Sequence, residues 1–141
     1  MNATDKHPFP TRAFLVGGLL CAVVIPIIIT MILNVRYGNA SALAQAIQIY
    51  LLIFANLILS NFHTYISRLL YAKGNKKTEV LFSSIFVVIT IVAVNWIFLN
   101  NFYLRKTTST AILILFVVPL YGSVSIIAGY LAGGAFKRLR R

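Results

Sequence analysis

Four long apolar runs, at residues 13–33, 42–62, 80–99 and 111–134, take up most of this 141-residue chain, and no Lys, Arg, Asp or Glu interrupts any of them. Each has about 20 residues or more, and a helix of that length, at about 1.5 Å of rise per residue, crosses a hydrocarbon layer roughly 30 Å thick. One such run fits a buried helix of a water-soluble protein, but four leave too few polar residues to build a soluble shell around them. The expected fold class is therefore all-α integral membrane. Short connections between consecutive helices favour an antiparallel bundle of four transmembrane helices, a single membrane domain over residues 1–141.

The charges outside the runs set the orientation. An even number of spans places both termini on one side, together with the connection between the second and third spans. That side collects Lys6, Arg12, Arg68, Lys73, Lys76, Lys77, Lys137, Arg138, Arg140 and Arg141, against Arg36, Arg105 and Lys106 on the other. The positive-inside rule then predicts both termini in the cytoplasm, N-in and C-in. Aromatic residues agree, with Tyr37, Trp96, Phe98, Phe102 and Tyr103 near the outer interface and Phe9, Phe14, Tyr65, Tyr71 and Phe136 near the inner one. The expected location is a bacterial inner (plasma) membrane.

A formal charge of +11 and a pI near 10.3 would suggest a nucleic-acid partner for a soluble protein. In a chain with four spans the basic residues are topology signals first, and each also attracts anionic lipid headgroups by about 1 kcal/mol near the surface. The expected partners are accordingly the bilayer with its anionic headgroups and another membrane protein or a second copy of the chain, with no nucleic acid. Arg68, Lys73, Lys137 and Arg138 are the candidate contacts for a lipid phosphate.

The flanks and connections carry recognisable stop signals. Pro8 and Pro10 hold the N-terminal arm out of a helix, so Thr11 is the expected cap of the first helix. Tyr37-Gly38-Asn39 reads as a turn, with Ser41 capping the second helix. Nothing breaks that helix between Phe62 and Lys73, so it should protrude until Gly74-Asn75 ends it, and the short link to the third span then predicts a tight hairpin. Thr108 or Ser109 should cap the last helix. The first span resembles a signal peptide in preceding the small-residue triplets at 40–42 and 42–44, but its length exceeds a signal h-region and favours a retained anchor. Asn39-Ala40-Ser41 matches a glycosylation sequon, without meaning in a bacterial membrane.

Within the spans, the polar residues fall into a pattern. Gln45, Gln48, Asn56, Ser60, His63 and Ser67 share one face of the second helix, with Leu52 in the gap. That face suits interhelical hydrogen bonds, worth about 0.6–2 kcal/mol each, or a polar path between helices. The fourth span carries Gly122, Ser125, Gly129 and Gly133 at steps of three and four, including a literal GxxxG, which points to close helix packing within the chain or between subunits. Gly18 and Ala22 repeat the spacing in the first span. Pro26 and Pro119 lie at similar depth, either by coincidence or as paired kinks lining a cavity.

Catalysis has little to draw on. Asp5 and Glu79 flank the spans, Cys21 is the single cysteine, and His7 and His63 sit in unrelated contexts. Intramembrane proteolysis, redox chemistry or metal binding would need carboxylates, paired cysteines or clustered histidines, so no catalytic, cofactor or metal residues are expected. The absence of an intramembrane carboxylate argues equally against proton coupling.

The opening segment Arg12-Ala13-Phe14-Leu15-Val16-Gly17-Gly18 resembles the start of GtrA-like proteins, a family of small four-span proteins implicated in moving polyprenyl-linked sugars. Asn61-Phe62-His63-Thr64-Tyr65 is loosely similar to that family's basic-aromatic segment, whereas Leu19-Leu20 stands where the family has a polar Asn-Thr pair. The resemblance implies a lipid-linked sugar phosphate as substrate, held by the cytoplasmic Arg and Lys residues. Two functional expectations result: a non-enzymatic accessory or interaction protein acting on another membrane protein, and a small oligomeric carrier or flippase component.

Overall fold

The computed structural model describes residues 9–74, 76–105 and 113–140. Among these there are four helices, α1 (Thr11–Tyr37), α2 (Ala42–Ala72), α3 (Lys77–Arg105) and α4 (Ile114–Leu139), and no strand. All four are long and apolar enough to cross a membrane, and the chain is a multi-pass membrane protein. Their outward faces are as apolar as their inward ones: Met31, Val35, Tyr50, Phe54, Ile89, Phe116 and Leu131 are all exposed. Helices hydrophobic all round have lipid, not water, on the outside.

The helices extend past the apolar runs into their polar flanks, and their ends follow local chemistry. At the start of α1 the N-cap is Pro10, not Thr11; the Thr11 hydroxyl turns back to donate to the Phe9 carbonyl at 3.4 Å. The first helical hydrogen bond runs from Phe14 N to Pro10 O at 3.1 Å, which needs only proline's carbonyl and not the N–H it lacks. Gly38 closes the other end at φ +82°, its N–H donating to Asn34 O at 2.9 Å. Ser41 is the N-cap of α2, although its side chain makes no capping hydrogen bond. α2 continues to Ala72 and stops where Gly74 adopts φ +149°, a conformation costly for any residue with a side chain. Residues 1–8, Asn75, Lys106, Thr108, Ser109 and Arg141 lie outside the described residues, and with them the expected cap of α4.

α1 packs on α2 and α3, α4 packs on the same two helices, and α1 and α4 do not touch among the described residues. The α3–α4 interface is the most extensive and that between α2 and α3 the least. The short link after α2 therefore does not make its hairpin the tightest pair. Close backbone approach needs missing side chains, and these lie elsewhere. A Cβ on Gly129 would collide with the Ser83 backbone, one on Gly133 would sit 2.6 Å from Glu79 Cα, one on Gly122 would strike the Leu59 side chain, and one on Gly18 would lie 2.9 Å from Ser60 Cβ. The glycines of α4 thus set its distance from α3 and α2 within this one chain. Between them the four helices enclose a core of Ile29, Leu33, Leu52, Leu59, Ile91 and Val118.

Both prolines lie inside continuous helices. Pro26 and Pro119 lie on α1 and α4, which do not contact each other among the described residues.

Replacing Gly129 with Val should destabilise the protein in detergent by about 1–3 kcal/mol, since overpacking forces backbones apart. Gly17→Ala, where an added Cβ meets nothing within 4 Å, should stay within about 0.5 kcal/mol. Thermal denaturation of the two purified variants compares them directly, and equal stability would contradict the close-approach account.

Candidate functional site

Hydrocarbon offers no partner to a side-chain amide, so an intramembrane asparagine has to find one on another helix. Asn56 of α2 and Asn95 of α3, both fully buried, find each other. Asn56 Nδ2 donates to Asn95 Oδ1 at 3.2 Å and Asn95 Nδ2 donates back to Asn56 Oδ1 at 3.1 Å. The second proton of Asn56 goes to Ala22 O of α1 at 3.4 Å and that of Asn95 to Ile91 O at 2.7 Å. Every amide proton of the pair has an acceptor, and three helices are joined at one level.

Toward the end where α2 finishes, the polar row continues. The Ser60 hydroxyl donates to Gly18 O of α1 at 3.4 Å, an approach that the missing side chain of Gly18 allows. His63 Nε2 lies 3.1 Å from Ser83 Oγ of α3 and 3.3 Å from Ser67 Oγ. Tyr130 of α4 donates to Ser67 Oγ at 3.3 Å, and that hydroxyl also lies within hydrogen-bond range of His63 Nε2. Phe14 stacks over the His63 ring with centroids 5.9 Å apart. This chain joins all four helices. Ser67 and Ser83 are fully buried, and His63 is buried with them.

Of the remaining residues on that face, Gln48 is buried at 2% exposure and Gln45 is half-buried. The pairs Gly18 with Ser60 and Ala22 with Asn56 advance four residues at a time in opposite directions. The buried Thr30 hydroxyl of α1 has no hydrogen-bond partner among the described residues. Ser125 of α4 bonds Thr90 of α3 and its own helix at Tyr121 O, 2.9 Å away. At the opposite end Tyr103 donates to Asn34 and Tyr37 to Asn100 at 3.2 Å, with the two tyrosine rings stacked.

Two features lie outside this interior row. A groove of about 140 Å³ between α1 and α2 is lined by Phe14, Leu15, Leu19, Leu57, Ser60, Asn61 and Thr64. At the junction of α3 and α4 a second cleft contains Glu79, the only acidic residue among those described. Glu79 is 6% exposed, and its Oε1 lies 3.8 Å from both Lys76 Nζ and Lys137 Nζ. Lys137 and Arg138 therefore share a site, while Arg68 and Lys73 belong to the end of α2. Among the described residues no group of His, Cys, Asp or Glu is placed to hold a metal ion.

Sequence reasoning singled out Asn56, His63 and Ser67 but not their partners Asn95, Ser83 and Tyr130. Asn95 is an amide in the middle of an uncharged span, and that was the available signal.

The chain matches no protein-family model, no curated protein and no solved structure. The likeness to GtrA-like proteins thus rests on two short segments, which the fold brings together at the α1–α2 groove.

Asn56→Leu and Asn95→Leu should each destabilise the protein by about 1–3 kcal/mol, because each leaves the other amide buried without its partner. The double replacement should cost less than the two singles added together. Unfolding of the four proteins of this cycle in detergent measures the coupling, and strict additivity would show that the amides do not act as a pair.

Proposed function

We propose that this chain is an antiparallel four-helix bundle of a bacterial inner membrane, with both termini cytoplasmic, serving as a non-enzymatic accessory protein that binds, stabilises or blocks another membrane protein. The antiparallel arrangement is supported by contacts between opposite helix ends: Phe9 with Tyr71, Gly18 with Ser60, and Glu79 with Gly133. The orientation is supported by the basic residues Arg12, Arg68, Lys73, Lys76, Lys77, Lys137, Arg138 and Arg140 around that end, against Arg36 and Arg105 at the other, among the described residues.

The observation that carries the accessory reading is the internal closure of the polar row. Asn56, Ser60, His63 and Ser67 direct their hydrogen bonds to groups within the chain. A bundle whose interior is occupied in this way acts through its outer surface, where an apolar lateral face and a basic end are available to a partner.

A second reading, a small oligomeric carrier or flippase component with GtrA-like translocation of a polyprenyl-linked sugar, is favoured by the α1–α2 groove. There Ser60, Asn61 and Thr64 line a lateral opening together with Phe14, Leu15 and Leu19.

Affinity purification in mild detergent separates the two. The accessory reading predicts a stoichiometric heterologous membrane protein, and recovery of the chain alone or as a homo-oligomer would overturn it. Reporter fusions test the topology, which predicts cytoplasmic signals at both ends and at the α2–α3 connection; a periplasmic signal from either terminus would contradict it.

A further inference from the structure

The cleft at the start of α3 and the end of α4 combines three cations with one buried carboxylate. It measures about 250 Å³ and is lined by Lys76, Glu79, Gly134, Lys137 and Arg138. Among the described residues that line it, three positive groups stand against one negative, in a recess at the end of two membrane-spanning helices. Gly133 creates the geometry: lacking a side chain, it lets α4 settle against the Glu79 backbone and brings Lys137 over the first turn of α3.

Glu79 Oε1 draws Lys76, just before α3, and Lys137 of α4 toward one point, at 3.8 Å each. That separation exceeds hydrogen-bonding range, so the ion pair positions the Lys76 ammonium without engaging its three donors. Among the described residues Glu79 Oε2 is buried without a hydrogen-bond partner, so the carboxylate is held mainly by charge. Arg138 adds a planar fork suited to two oxygens of one oxyanion. The floor at Gly134 is open, since a Cβ there would meet nothing within 4 Å.

We propose that this cleft binds a phosphate group, for which the headgroup of an anionic phospholipid is the source nearest at a helix end in a bilayer. Glu79 serves as the positioning residue that holds Lys76, just before α3, and Lys137 of α4 on either side of it. The inference rests on the membrane-spanning fold and not on the accessory role, because it concerns the purified chain without any partner.

The test uses full-length protein in a neutral detergent, titrated separately with phosphatidylglycerol, phosphatidylcholine and inorganic phosphate, and read by native mass spectrometry and by melting temperature. Gly134→Leu fills the cleft without changing any charge, and Lys76→Gln with Arg138→Gln removes charge without filling it. Wild type should retain phosphatidylglycerol in preference to phosphatidylcholine, and each variant should weaken that binding by roughly tenfold or more. Stabilisation by inorganic phosphate that is lost in the variants supports the same site with a soluble source, while a response to the lipid alone assigns the headgroup. If Gly134→Leu does not accumulate, the charge variant decides the outcome. Wild-type affinity in the variants, or no preference for phosphatidylglycerol together with no response to phosphate, would overturn the proposal.

Discussion

Inside a bilayer a polar side chain has either another protein group or nothing to bond to, and the arrangement of this molecule depends on how Asn56 and Asn95 meet that constraint. Their reciprocal bonds leave no amide proton unmatched and fix α2 and α3 at one relative height, with α1 tied in through Ala22 O. Lipid tails are as apolar as the side chains they compete with, so burial alone does not choose one helix rotation over another. The amide pair does choose. With it in place, the same face of α2 presents Ser60 to Gly18 and His63 to Ser83.

The glycines supply the second half of the specification. Polar bonds set height and rotation, while missing side chains set distance. Gly129 and Gly133 let α4 approach α3 backbone to backbone, and Gly122 receives Leu59 of α2. Two consequences follow at opposite scales. α4 is brought near enough for Tyr130 to reach Ser67, and its basic end is laid beside Glu79. The interior hydrogen bonds and the charged cleft are therefore products of the same close packing, and a larger residue at 133 would disturb both.

The spans, the extension of α2 and its stop at Gly74 were legible because length, absence of charge and a glycine after the last apolar turn are local properties. So was the shared face of Asn56, Ser60 and His63, which follows from helical periodicity. Their partners were not legible: pairing Asn56 with Asn95 requires knowing how two helices lie against each other, and periodicity within one helix carries no such information. Thr11 is not the cap its hydroxyl suggests, because a proline immediately before it can take the capping position through its carbonyl alone. Glu79 read as a flanking residue because it adjoins an apolar run, yet Gly133, far away in sequence, allows α4 to cover it.

We propose that an interior joined by its own hydrogen bonds leaves function to the outside of the bundle. This is tested most directly by replacing Cys21 with Ala and introducing single cysteines at positions 48, 52, 56, 60 and 63 of α2, then treating intact membranes with a small membrane-impermeant thiol reagent from each side. No labelling is expected at any of these positions, as for side chains packed between helices. Labelling that recurs along the row at helical spacing would instead reveal a water-filled route and contradict it.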